Sequence, residues 1–93
     1  MRLYELVCAF RVQEGRDAAG IEAVKQILSD AEAVITSEDD MGDREFAYEV
    51  KKETRGRYRL FTVQLNQEKL PGIEEALKLH SEVLRFLFVL KEK

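Results

Sequence analysis

Cysteine, histidine and proline occur once each in this chain and tryptophan not at all, and the first two scarcities each close off a class of function. A lone cysteine, Cys8, excludes an intrachain disulfide framework and offers no partner for a CxxC metal or redox pair, so it reads as a core residue in a reducing compartment. A lone histidine, His80, excludes an imidazole cluster. Its place at the end of a helical segment suits a dipole interaction or a surface position better than catalysis. The adjacent Glu38, Asp39 and Asp40 point to alternate faces of a strand and do not converge on a cation, so no metal site and no cofactor is expected. No apolar run approaches the roughly 20 residues of a membrane span. The first residues alternate charged and apolar side chains, unlike a secretory leader, and the protein is expected to stay in the cytoplasm.

What remains is a chain of 93 residues, 45% hydrophobic and 35% charged, read as one globular domain over 1–93. Its net charge of -3 argues against a nucleic-acid partner, but the distribution does not. Residues 1–40 carry a net -5, while residues 41–93 carry a net +2. The basic excess gathers in Lys51-Lys52-Glu53-Thr54-Arg55-Gly56-Arg57-Tyr58-Arg59. That segment reads either as a solubilising hairpin tip or as a loop that meets phosphates.

Periodicity places the elements. Residues 2–11 alternate as a strand, with Tyr4, Leu6, Cys8 and Phe10 on the core face. Ile21, Val24, Ile27, Leu28 and Ala31 recur at helical spacing after Asp17, a candidate N-cap. Residues 33–52 form a long strand bent near Gly42, Arg55-Gly56 supplies a turn, and Tyr58 to Leu65 returns as its hairpin partner. A second helix runs from about Glu68 to Leu79 with Leu70, Ile73, Ala76 and Leu77 inward, and Pro71 is tolerated in its first turn. Val83 to Leu90 is a last, wholly apolar strand broken only by Arg85.

The order βαββαβ is that of an α+β, ferredoxin-like fold: a four-stranded antiparallel sheet with two helices on one face. The other face is bare, and its residues decide whether it meets water or a partner. With Leu87 and Val89 assigned to the helices, Phe86, Phe88 and Leu90 point to the bare face and join Leu3, Val7 and Leu60. An apolar patch of that kind marks an interaction surface.

The start Met1-Arg2-Leu3-Tyr4-Glu5-Leu6, the segment Gly42-x-Arg44-x-Phe46-Ala47-Tyr48, the glycine at Gly56 before Tyr58, and Val83-Leu84-Arg85 leading to Lys91 together resemble the bacterial small-subunit ribosomal protein six family over essentially the whole chain. The resemblance implies a structural component of the small ribosomal subunit in translation. It implies pairing with small-subunit ribosomal protein eighteen and, as that heterodimer, binding to the central domain of small-subunit ribosomal RNA. Neither a small-molecule substrate nor a membrane is implied. On this reading Arg2, Lys51, Lys52, Arg55, Arg57 and Lys91 are the RNA contacts, acting on phosphates without reading bases. Tyr48, Leu60, Phe86 and Phe88 are the protein contacts, and Arg44 and Arg85 stay open between a solvated charge and a contact.

Two rivals share the scaffold. An RNA-recognition module stacks bases on outward aromatics of its two central strands, whereas here Tyr58 is the sole candidate in the third strand while Tyr4 and Phe10 face the core. A small acylphosphate hydrolase needs a phosphate loop, and Gly15-Arg16-Asp17 through Gly20 is the sole candidate. There Glu14 and Asp17 would repel an anion and no nucleophile stands beside a base. The chain is therefore expected not to be an enzyme.

Overall fold

The computed structural model describes residues 1–13 and 15–91, so Glu14 of the glycine-rich segment lies outside the described residues. The chain runs β1 (Arg2–Phe10), α1 (Arg16–Asp30), β2 (Val34–Val50), β3 (Glu53–Leu65), a 3₁₀ turn (Gln67–Lys69), α2 (Leu70–Leu79) and β4 (Val83–Leu90). The strands form one sheet in the order β2-β3-β1-β4, with every neighbouring pair antiparallel. This is the ferredoxin-like arrangement, with β1 and β3 central.

The alternation in β1 is realised as read. Tyr4, Leu6, Cys8 and Phe10 are all buried, and they meet Phe61, Val63 and Leu65 of β3, Val24 and Leu28 of α1, Ile73 and Leu77 of α2, and Val83. Each large side chain enclosed in this way contributes roughly 1.5–3 kcal/mol of apolar burial. Burial also pushes the Cys8 thiol up to about 12, which leaves it protonated and unreactive at neutral pH.

Three local expectations are corrected. Asp17 is not the cap of α1. Gly15 takes the cap position with φ 79, and Asp17 lies in the first turn, where a carboxylate favours the positive end of the helix dipole. The hairpin turn is Lys51-Lys52, with φ 50 and 68, closing between Val50 and Glu53. Arg55-Gly56 instead lies within β3. Two positive φ values in a two-residue loop have the signs of a type I′ turn, whose twist suits a hairpin but whose usual residues are Asn and Gly. Here the Lys51 ammonium donates to the Val83 carbonyl at 2.7 Å and holds the tip against β4.

The third correction concerns β4. Phe86 pairs with Cys8 and Phe88 with Leu6, and directly opposed residues share a face. Phe86 and Phe88 therefore lie on the helix side and pack against the core, with the Phe88 ring edge-on to Tyr4 at 6.1 Å. Leu87 and Val89, 61% and 44% exposed, occupy the bare face. The pairing shifts register between Ala9 and Phe10, so Val83 and Leu84 are both buried at the start of the strand.

An ion-pair chain ties the ends of these elements together. Arg11 bonds Glu53 at 2.6 Å and the Ser81 carbonyl at 3.2 Å, and Arg16 grips both oxygens of Glu82, at 2.7 and 2.8 Å. The exit of β1, the hairpin, the start of α1 and the approach to β4 are thereby joined. Hydrogen bonds from Arg16 hold the Glu82 carboxyl below its ordinary value of 4.5. A carboxyl depressed by folding adds stability that is complete above its unfolded pKa and disappears as pH falls through the folded one. Stability should therefore decline on acidification below about pH 4.5. Urea titrations of the parent and of Glu82→Gln should show a shallower decline in the variant, and identical slopes would refute the assignment.

Gly20 provides a second test. A Cβ at this position of α1 would stand 2.5 Å from the buried Phe10 ring. A glycine-to-alanine change inside an exposed helix face gains up to about 1 kcal/mol, but overpacking costs about 1–3 kcal/mol. Gly20→Ala is expected to lower the urea midpoint, and a raised midpoint would show that Phe10 yields freely.

Candidate functional site

The register of β1 assigns the bare face residue by residue. Leu3, Glu5, Val7 and Ala9 oppose Gln64, Thr62, Leu60 and Tyr58 of β3, while Val89, Leu87 and Arg85 flank Glu5, Val7 and Ala9 from β4. On the other side Asp39 pairs with Leu60, Gly42 with Tyr58 and Arg44 with Gly56. The centre of the face is thus Val7, Leu60 and Leu87, and Leu60 lies where the sequence placed it.

Gly56 shapes one end of this face. A Cβ there would meet the Phe46 ring at 2.6 Å and Ala9 at 3.2 Å, so the missing side chain lets Phe46 lie down on the sheet. The ring meets Tyr58 edge-on at 6.2 Å. Beside them is a shallow hollow floored by Ala9 and bounded by Val7, Tyr58, Arg85 and Leu87. On the central strand β1 this face carries no aromatic side chain, so the paired stacking platform of an RNA-recognition module is not formed.

The six cations expected to meet RNA do not form one patch. Arg2 is opposite Leu65, and the Lys91 amide bonds Leu3, which puts both at the far end of the sheet from the Lys51-Lys52 tip. Lys91 lies 3.8 Å from Glu5. Lys52 and Arg55 are exposed at the hairpin end, beside Lys51. Arg57 differs: its guanidinium stands 3.2, 3.6 and 3.8 Å from Asp40, Asp43 and Asp17. Those carboxylates raise the Arg57 pKa, and the Gly42 amide with Arg57 lowers that of Asp40. Arg57 is a cross-strand clasp on the helix side, as is Arg59 with Glu38, and its surroundings are acidic. Tyr48 is 69% exposed on the outer strand near the tip.

Other groups singled out in the sequence have structural partners. Arg16 is held by Glu82, and His80 accepts the Glu82 amide at 3.3 Å. Among the described residues no three His, Cys, Asp or Glu side chains come together as metal ligands, and no helix is long and apolar enough to cross a membrane. The face residues that sequence reasoning missed are Leu87 and Val89. Val83-Leu84-Arg85-Phe86-Leu87-Phe88-Val89-Leu90 is apolar at both parities, so its phase is set only by pairing with β1.

Known proteins agree with this layout. The model of the family described as Ribosomal protein S6 matches residues 3–90. Small ribosomal subunit protein bS6 of Treponema denticola is 43% identical over 89 residues, covering 96% of each chain. The same protein of Dictyoglomus turgidum is 33% identical, covering 100% of this chain and 98% of its own. The crystal structure of 30S ribosomal protein S6 from Thermotoga maritima superposes with a TM-score of 0.81 at 25% identity, over 97% of this chain and 87% of that one. With matched residues spanning every strand and both helices, the chain belongs to the ribosomal protein S6 family, a structural and non-enzymatic component of the small ribosomal subunit that serves translation.

Proposed function

We propose that this chain binds the central domain of small-subunit ribosomal RNA as a heterodimer with small-subunit ribosomal protein eighteen. The observation that carries the reading is the apolar face of Val7, Leu60, Leu87 and Val89, set next to a hairpin end bearing Lys51, Lys52 and Arg55. A bare apolar face of this kind is a docking surface for protein. Exposed lysine and arginine at the hairpin end suit phosphates, where they position a protein without selecting sequence. Arg2 and Lys91, at the other end, serve as a separate phosphate contact. Arg57 is excluded from the contact set because three carboxylates already surround it.

The experiment combines purified chain, protein eighteen and a central-domain RNA fragment. The expected outcome is weak RNA binding by the chain alone and tight binding once protein eighteen is present. Lys52→Ala and Arg55→Ala should each reduce the salt slope of RNA binding by about 1. Leu87→Asp should abolish pairing with protein eighteen while the fold survives, because Leu87 is on the open face. Phe88→Ala should instead lower stability, by about 3 kcal/mol or less given its partial burial. Equal RNA affinity with and without protein eighteen would overturn the heterodimer reading.

A further inference from the structure

Away from the open face, several cations have carboxylate partners. Arg11 pairs with Glu53, Arg16 with Glu82, Lys25 and Arg59 with Glu38, and Arg57 with Asp40. Arg44 and Arg85 differ: they are exposed, lie on the open face opposite Gly56 and Ala9, and have no ion pair or side-chain hydrogen bond among the described residues. Both stand at the hairpin end of that face, at its two margins. β2 and β4 are three strand spacings apart, about 14 Å, and between them lie Phe46, Tyr58 and the hollow over Ala9. One step toward the far end of the sheet, Asp39 lies on the same face opposite Leu60, exposed and also without an ion pair. Glu5, further along, already has Lys91.

We propose that these three charges orient the docked protein: Arg44 and Arg85 receive carboxylates of the partner at the two margins of the face, Asp39 receives a cation, and an apolar side chain fills the hollow between Tyr58 and Arg85. The inference rests on the open face being the docking surface for protein eighteen. Its physical basis is desolvation. In the free chain the three groups are hydrated and cost nothing. Once an apolar surface covers Val7, Leu60 and Leu87, the same groups lose water and need opposite charges or the complex is penalised. A partner turned end for end would carry its carboxylates to the far end of the face, toward Glu5, and leave Arg44, Arg85 and Asp39 desolvated without opposite charges. The pattern therefore rejects the reversed orientation as well as favouring the correct one. Arginine suits the two margins because its guanidinium engages a carboxylate bidentately. The apolar surface between them, with no aromatic on β1, suits a protein segment better than a nucleic-acid backbone.

The test measures heterodimer affinity calorimetrically with purified protein eighteen and no RNA, for the parent, Arg44→Glu, Arg85→Glu, Asp39→Lys and Arg85→Lys. All three positions are exposed, and thermal melts check that each variant folds. Each charge reversal should weaken pairing by about tenfold or more, with the deficit shrinking as salt rises, and Arg85→Lys, which keeps the charge but not the bidentate fork, should lose clearly less than Arg85→Glu. Unchanged protein-only affinity in all reversals overturns the inference. So does a loss that appears only when RNA is added, which would make the arginines phosphate contacts. Failure of the parent to pair, or full pairing by Leu87→Asp, overturns the docking surface itself, a result distinct from failure of the charge pattern alone.

Discussion

The two-residue alternation of β1 is the constraint on which the rest of the structure depends. This strand is hydrogen-bonded on both edges, to β3 and β4, so its own phase dictates theirs. Tyr4, Leu6, Cys8 and Phe10 require burial and draw Phe61, Val63, Leu65, Phe86 and Phe88 to the side where α1 and α2 pack. Leu3, Val7 and Ala9 are then left on the other side together with Leu60, Leu87 and Val89. A slip of one residue in the β1–β4 pairing would place Arg85 in the core, and one in the β1–β3 pairing would expose Phe61 and Val63, which makes the register energetically unambiguous. The apolar open face is therefore the second half of the pattern that builds the core.

That logic explains which parts of the fold were legible in the sequence. β1 could be read because one parity is apolar and the other mixed, and the helices because Val24 and Leu28, Ile73 and Leu77 recur at helical spacing. β4 could not, because it is apolar at every position except Arg85. Its faces are decided by long-range pairing with β1, which no local window contains. The hairpin was misread for a related reason. Gly56 looks like turn chemistry, yet its lack of a side chain makes room for the Phe46 ring. The real turn is built from two lysines, which local preference does not favour at positive φ. Tertiary contacts override propensity at both places: the Lys51 ammonium on Val83 at the tip, and Phe46 against Tyr58 along the strand.

The candidate site was legible in kind more than in membership. A basic second half and an apolar sheet face were visible as composition, but spacing along the chain does not reveal which cations share a surface. Lys52 and Arg57 are five positions apart and have opposite fates. Lys52 is exposed at the tip, whereas Arg57 lies on the helix side among Asp17, Asp40 and Asp43. Place in the fold produces this difference: Arg57 lies opposite Phe10 on the core side of β3, while Lys52 stands in the turn. Register shifts around Ile35 and Asp40 set Asp40 and Asp43 opposite Arg59 and Arg57, with Glu38 3.3 Å from Arg59, so the acidic run balances part of the basic one.

The same allocation of charge accounts for how an acidic chain can serve an RNA-containing particle. Acids and bases that face the helices neutralise one another across strands and between α1 and the β3 edge. Exposed pairs of this type add little stability one at a time, but they remove both signs from the field that an approaching partner meets. Unpaired cations then stand at the hairpin tip and the margins of the open face. With a net charge of -3 over the whole chain, local sorting matters more than the sum, because at physiological salt a phosphate responds only to charges within about 8 Å. The pairing of β3 and β4 with β1 therefore has electrostatic as well as geometric consequences: it turns Arg57 and Arg59 toward the helix side, where they hold the sheet edge, and leaves Arg85 facing outward beside the apolar surface, with Arg44 on the same face opposite Gly56.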